Sequence, residues 1–320
     1  MTTAPSRRSS LVIGAGGFVG PYLVNELLVS SERDVHVTVF PSEDYGDSRV
    51  VSHHLDVCDG EAVKKLVLEL NPDEVYHLAA LSSVAASWND PARTVDVNIK
   101  GAIHVLEAAR LLEPMPRVLL VGSSEEYGGA ARERSTLGED SPVQPMNVYA
   151  LTKSCQNTLG CLYFSAYGVP VVMVRAFNHI GPGQSQRFVA SDFCRQVALI
   201  EAGRQEAVIR VGNLSSLRDF ADVRDIVRAY VQVAVFGTAG ETYNVGSGRV
   251  LSIGQLLDRI LALTPVAISV TIDQCRYRPV DIPAARADIR KVQDLCQWNP
   301  VIGLDQTLED MLVWWRARLG

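Results

Sequence analysis

Residues 11–20 read LVIGAGGFVG, an apolar run that breaks into Gly14, Gly17 and Gly20 at three-residue spacing. Beyond it, Leu23, Val24, Leu27 and Leu28 recur as one face of a helix. A strand, a glycine bend and an amphipathic helix in that order make a place where a pyrophosphate can approach bare backbone N–H groups, because a Cβ would stand in its way. Pro21 fits the reading, since the first helical turn has no internal use for its N–H. The spacing alone describes any tight turn; the flanking strand and helix point to a dinucleotide.

Outward from this stretch, the strand-like segments are 10–13, VHVTVF (35–40), VVSHHL (50–55), EVYHLAA (74–80) and RVLLVG (117–122). Helical patterns at Glu61–Leu70 and Val95–Leu112 separate them. Strands joined through helices need crossover connections, which predicts an α/β, Rossmann-like doubly wound parallel sheet with its ligand beyond the strands' carboxyl ends. The second half is less regular. VVMVRAF (171–177) precedes a Gly/Pro loop, Ser191–Ala202 and Ser252–Leu263 pattern as helices, ETYNVGSG (241–248) as a strand leaving a loop, and the tail as an amphipathic helix. The expected division is a dinucleotide domain over 10–177 plus about 218–246, and a smaller α/β substrate-binding lobe over about 178–217 plus 247–320.

The 320 residues are 47% hydrophobic and 21% charged, with net charge −6 and no long Lys/Arg block, which argues against a nucleic-acid partner. No apolar run approaches the roughly 18 residues of a membrane span, and MTTAPSRRSS reads as a short disordered leader without a signal core. Six cysteines without a C-x-x-C pair suggest small core residues in a reducing cytoplasm. No metal site is expected: His53 and His54 adjoin on a strand and point to opposite faces.

Two further stretches carry chemistry. In NVYALTK, Tyr149 and Lys153 stand four apart and share a helical face. A neighbouring ammonium favours the phenolate and would bring Tyr149 toward useful acid–base strength. In VGSSEEYGG (121–129), a strand end runs into Ser123, Ser124, Glu125 and Glu126. If the pleat continues, Glu126 faces away from Glu125 and reads as a solvated loop charge.

GAGGFVG, HLAALSSV, VGSSEEYGG, Tyr149-x-x-x-Lys153 and RAFNHIGPGQ together resemble the extended short-chain dehydrogenase/reductases that act on nucleotide sugars, from about residue 10 to the C-terminus. FNHIGPGQ, VGNLSSLRDFADVRDIVRAY and RYRPVDIP are most similar to the GDP-4-keto-6-deoxy-mannose reductases among them. The resemblance implies Ser123, Tyr149 and Lys153 as catalytic residues, with Ser123 holding the sugar's reacting oxygen, Tyr149 carrying the proton and Lys153 on the nicotinamide ribose. For NADP(H) or NAD(H) it implies Gly14, Gly17, Phe18, Val19 and Gly20, Asp56 and Val57 near the adenine, Leu78, Ala79 and Ala80 along the cofactor, and His179 beside the nicotinamide. For a GDP-linked 4-keto-6-deoxy sugar it implies Ser124, Glu125, Asn178, Val189, the diphosphate-binding Arg218 and Arg278, and Asp281 on ribose hydroxyls. A planar guanidinium suits that diphosphate task because it bonds two oxygens at once. It also implies a homodimer packed through a four-helix bundle that includes Val95–Leu112 and Tyr149–Phe164.

The expected reaction is NAD(P)H-dependent reduction of the C4 ketone to GDP-D-rhamnose. A dehydratase or epimerase is the alternative, because dehydratases of this superfamily also place a glutamate two residues after the catalytic hydroxyl. Against it, the related dehydratases carry Gln-Asp in the glycine loop where this chain has Gly17-Phe18-Val19-Gly20-Pro21. A non-catalytic dinucleotide-binding protein is the third reading, disfavoured by the retained tyrosine, lysine and serine. The second strand closes on Phe40, Pro41 and Ser42, followed by Glu43 and Asp44, with no arginine for a 2′-phosphate, which leaves the choice between NAD and NADP open.

Overall fold

The computed structural model describes residues 8–29, 33–274 and 284–319. The first half runs β1 (Arg8–Ile13), α1 (Gly20–Val29), β2 (Arg33–Val39), β3 (Val51–His54), α2 (Gly60–Leu70), β4 (Glu74–His77), α3 (Val84–Asn89), α4 (Pro91–Val95), α5 (Gly101–Ala109) and β5 (Arg117–Ser123). There follow β6 (Thr136–Leu137), α6 (Val148–Tyr167), β7 (Val171–Ala176), β8 (Asn178–Ile180), α7 (Val189–Glu201), β9 (Val208–Val211), β10 (Leu217–Asp222) and α8 (Val223–Phe236). The chain closes with β11 (Thr242–Val245), β12 (Val250–Ser252), α9 (Ile253–Leu261), β13 (Ser269–Ile272), β14 (Ala284–Ala287), α10 (Arg290–Cys296) and α11 (Leu304–Leu319).

Seven strands pair in the order β11-β7-β5-β4-β1-β2-β3, every pair parallel. β4 and β7 are buried at every position, as a sheet covered on both faces requires. Leu23 and Leu27 of α1 pack with Val223 and Tyr230 of α8 in one cluster, and Val63 and Val67 of α2 with Val105 and Leu106 of α5 in another. Leu23 and Leu27 have no exposed surface, so each contributes about 1.5–3 kcal/mol relative to solvent exposure and anchors the helix that starts at the glycine bend. The sheet order grows outward from β1 in both directions, to β2 on one side and β4 on the other. That reversal opens a crevice at the carboxyl ends of β1 and β4, the place where doubly wound sheets take ligands.

A five-stranded mixed sheet (β12-β10-β14-β6, with β8 on β10) and a two-stranded β13-β9 pair lie outside the main sheet. A third apolar cluster joins Phe193 and Val197 of α7, Leu257 and Ile260 of α9, and Met311 and Leu312 of α11.

Three expectations need correction. Arg8, Ser9 and Ser10 belong to β1 rather than to a leader, because Ser10 is buried and donates to Glu74; residues 1–7 lie outside the described residues. The single helix expected over Val95–Leu112 starts earlier as α4, passes through a wide π turn at Asp96–Lys100 and ends at Ala109. Among the five described cysteines, Cys194 is buried but Cys161 is exposed, so the core reading does not hold for all. His53 turns toward His36 (3.1 Å between ring nitrogens) while His54 is exposed, as strand alternation requires.

Candidate active site

The glycine bend divides its residues by physical need. Gly14 has φ +86°, and a Cβ there would lie 2.6 Å from the Ala79 Cα, a backbone that cannot yield. A Cβ on Gly20 would fall on the Ala15 carbonyl, so this glycine lets α1 start close against the strand end. At Gly17 a Cβ would meet nothing nearer than the Gly14 oxygen at 3.6 Å. The chain's own packing therefore does not demand glycine at position 17, which leaves the backbone there open to a ligand. The bend, at the N-terminus of a ten-residue helix, fits a pyrophosphate on these grounds.

Its neighbours close the crevice. The N–H groups of Leu78 and Ala79 donate to the Ile13 carbonyl (2.9 and 3.0 Å), which carries the Leu78–Ala80 segment beside the bend. Phe18 stacks on His179 (centroids 6.2 Å apart, planes 5° from parallel), joining β8 to the same crevice, while the Val19 carbonyl accepts from the Leu23 N–H. The exposed Glu43 brings its carboxylate against Gly16. Just past β3, Asp56 accepts from the Cys58 N–H (2.9 Å) and stands 3.7 Å from Arg93, contacts that hold its carboxyl below the usual range. Val57 is buried in the core with its carbonyl on His104 (2.9 Å).

β5 ends at Ser123, and the pleat does not continue: Ser124–Arg132 winds as a 3-10 helix capped by Ser123. The Ser123 Oγ accepts from the Glu125 N–H (3.2 Å), and the Glu126 carboxylate folds back to the Ser123 N–H (2.9 Å). Ser124 is half-buried at the first turn. Asn147 caps α6 by accepting from the Ala150 N–H (2.8 Å) and with its amide nitrogen donates to Glu125 (3.0 Å). α6 then sets Tyr149 and Lys153 one turn apart, and the Tyr149 N–H donates to Ser87 (3.2 Å).

The Ser123 hydroxyl neighbours the Tyr149 phenol and favours its ionised form. Burial nevertheless raises the phenol above its ordinary value, the Ser123 hydroxyl opposes this, and the nearby Glu125 and Glu126 charges add to it. The Lys153 ammonium points at the end of β5, donating to the Val121 carbonyl (2.7 Å) and to Gln156 (3.0 Å). Burial lowers it to about 8, with Glu126 pulling the other way. The expected depression of Tyr149 by this ammonium is thus not what the geometry yields: the amine is committed to a strand carbonyl and desolvation governs the phenol.

Glu126 overturns its own reading as a solvated charge. It is fully buried, and besides Ser123 it accepts from Arg175 Nε (2.9 Å) and Asn157 Nδ2 (3.1 Å). Sequence reasoning missed this residue because a lone glutamate gives no sign of its partner 49 positions away. It also missed Asn98, in the π turn, whose side chain bonds the Leu81 N–H and carbonyl and the Thr152 hydroxyl and so ties the segment after β4 to α6. A buried amide in an otherwise apolar helix was the available signal.

On the other side of the crevice, Asn178 donates to the Asp219 carbonyl (3.2 Å) through the β8–β10 pairing. Arg218 is half-buried on β10 with Nη1 on the Leu217 carbonyl, and Val189 opens α7. Arg278 and Asp281 lie outside the described residues. The structure thus gathers Ser123, Glu125, Tyr149 and Lys153 at the junction of β5 and α6, with Gly14–Gly20, Ala79 and His179 around the adjoining crevice.

Comparison with known proteins gives matches over nearly the whole chain. A family model described as GDP-mannose 4,6 dehydratase matches residues 11–311. GDP-6-deoxy-D-mannose reductase of Pseudomonas aeruginosa is 31% identical over 96% of this chain and 97% of its own. GDP-mannose 4,6 dehydratase 2 of Arabidopsis thaliana is 27% identical over 97% and 87%. Among solved structures, RMD from Pseudomonas aeruginosa complexed with NADPH superposes with TM-score 0.84 at 30% identity, covering 97% of this chain and 99% of that one. A putative epimerase from Burkholderia cenocepacia gives 0.86 at 32%, covering 98% and 100%.

Proposed function

The chain belongs to the GDP-mannose 4,6-dehydratase family of extended short-chain dehydrogenase/reductases, and on that premise we propose that it reduces the C4 ketone of GDP-4-keto-6-deoxy-D-mannose to GDP-D-rhamnose. The observation that carries this reading is the meeting of Ser123, Tyr149 and Lys153 at the junction of β5 and α6, beside the glycine bend that ends β1. The similarity to a protein called GDP-6-deoxy-D-mannose reductase supports it.

In this reading Gly14, Gly17, Phe18, Val19 and Gly20 hold the pyrophosphate, Asp56 and Val57 the adenine end, and Leu78–Ala80, Lys153 and His179 the nicotinamide half of NADH or NADPH. When bound, the cofactor supplies the hydride that reduces C4. Ser123 holds the sugar oxygen, Tyr149 gives it the proton, and Lys153 keeps a positive charge near the ribose. Glu125, fixed by Asn147, accepts from a sugar hydroxyl and keeps the ring in register. Asn178, Ser124, Val189 and Arg218 bind the GDP-sugar, with the α7, α9 and α11 cluster as the core of the substrate-binding lobe. We place Arg278 and Asp281 there as well. The exposed Leu151, Leu162, Phe164 and Tyr167 on α6 support a homodimer through that helix.

Glu125, two residues after Ser123, favours one second reading, GDP-mannose 4,6-dehydratase, in which it takes a proton from carbon. Nicotinamide absorbance separates the two. A reductase consumes one NAD(P)H per ketone, and Tyr149→Phe removes most of that turnover. Constant absorbance with ketone forming from GDP-mannose would overturn the reductase reading.

A further inference from the structure

Directly beneath the strand end that presents Ser123, the molecule buries a charge pair that the proposed chemistry does not use. Glu126 has no exposed surface and Arg175 is 7% exposed. Burying two charges costs several kcal/mol per ion and is offset only when geometry and further hydrogen bonds are good, so such a pair is weak evidence of stabilisation by itself. Its geometry says more. One Glu126 oxygen takes the Ser123 N–H at 2.9 Å, and the other takes Arg175 Nε at 2.9 Å and Asn157 Nδ2 at 3.1 Å.

We propose that Glu126 is a positioning residue for Ser123: clamped by Arg175 and Asn157, its carboxylate fixes the backbone from which the Ser123 hydroxyl projects to Tyr149. Three independent observations converge on this. The capping geometry is reciprocal, with Ser123 Oγ on the first turn and Glu126 on the Ser123 N–H, which sets the serine's extended backbone (φ −151°, ψ 147°). Gly122 leaves room for the same carboxylate, since a Cβ there would collide with Glu126 Oε1 as well as with the Val174 carbonyl of the neighbouring strand. The clamp also spans the elements that must stay in register: Arg175 stands on β7 opposite Gly122, and Asn157 lies one helical turn beyond Lys153 on α6. Arg175 is itself held over the Tyr127 ring (4.8 Å), whose hydroxyl donates to Asn244 (2.7 Å). The serine, the lysine helix and the central strands therefore share one buried polar joint.

The inference rests on the catalytic reading of Ser123, and the test separates the two. Two charge-neutral variants of the full chain, E126Q/R175M and E126M/R175M, differ in whether an acceptor remains for the Ser123 N–H. Ketone-dependent NAD(P)H oxidation should show kcat about tenfold lower in E126M/R175M than in E126Q/R175M, with similar KM and melting temperature, because a small misplacement of a reacting hydroxyl is costly. In a Ser123→Ala background that gap should close. Equal kcat in the two folded variants, or a gap that persists without the serine hydroxyl, overturns the inference. Should E126M/R175M not fold, Asn157→Leu carries the same comparison: a wild-type kcat in folded N157L overturns the clamp, and a several-fold loss confined to kcat supports it. A wild-type rate for Ser123→Ala alone removes instead the reading on which the clamp depends.

Discussion

Gly14 and Gly17 stand three residues apart in one bend, yet the structure predicts opposite consequences for adding a methyl group to each. Gly14→Ala puts an L-residue at φ +86°, a strain of about 1–2 kcal/mol, and drives its Cβ to 2.6 Å from the Ala79 Cα. Overpacking against an unyielding backbone adds about 1–3 kcal/mol. The sum, about 2–5 kcal/mol, corresponds to a melting temperature lower by about 3–8 °C for a protein of this size. Gly17→Ala meets only the Gly14 oxygen at 3.6 Å, an ordinary contact, and should melt within a degree or two of wild type. Its methyl instead occupies the path of the pyrophosphate and should weaken dinucleotide binding at least about tenfold, or 1.4 kcal/mol. Differential scanning fluorimetry reads the first effect and nicotinamide fluorescence titration the second. A G17A protein that melts normally and binds the cofactor normally would refute the claim that this bend is the cradle, whatever G14A does.

Two other outcomes follow from groups outside the bend. Glu43, exposed with its carboxylate against Gly16, should repel a 2′-phosphate, so Glu43→Gln should shift the ratio of NADPH to NADH dissociation constants about three- to tenfold toward NADPH. The shift should shrink in high salt, and an unchanged ratio at low salt rules Glu43 out as a selector. His77 is fully buried in β4 with neither ring nitrogen bonded among the described residues, and burial, then the Lys153 charge, push it down to about 3. The unfolded chain takes up a proton as pH falls through about 6.5 while the folded chain does not until near 3, so stability is lost across that window, about 2 kcal/mol by pH 5. His77→Leu should flatten this slope in urea midpoints measured at pH 7 and 5; an unaltered slope would mean that His77 is not its source.

What could be read from the chain, and what could not, divides along the range of the interaction. The main sheet was legible because its signals are local: unbroken apolar runs at β5 and β7, helical periodicity between strands, and glycines at a forced bend. Tyr149 and Lys153 could be paired by their spacing on one helix, whereas Ser123 was singled out only by the family resemblance. The π turn was not, since Asp96–Lys100 differs from α-helix only through where Asn98 must reach, namely Leu81 and Thr152. Glu126 was misread for a related reason. Two adjacent glutamates at a strand end look alike in sequence, and it is Arg175, Asn157 and the missing Cβ of Gly122 that draw one of them inside.

The Tyr149–Lys153 pair shows most clearly where spacing stops being informative. Four residues on a helix guarantee a shared face, but they do not say where an ammonium on a long flexible stem will point. Here the end of β5 decides it, because the Val121 carbonyl and Gln156 are in reach and take the amine's hydrogen bonds. The phenol is left to its surroundings, where burial disfavours the phenolate and the Glu125 and Glu126 charges disfavour it further. A tyrosine so placed holds its proton at neutral pH. Burial, and not the four-residue spacing, therefore sets the phenol's resting state, the one that can give a proton to a nascent alkoxide.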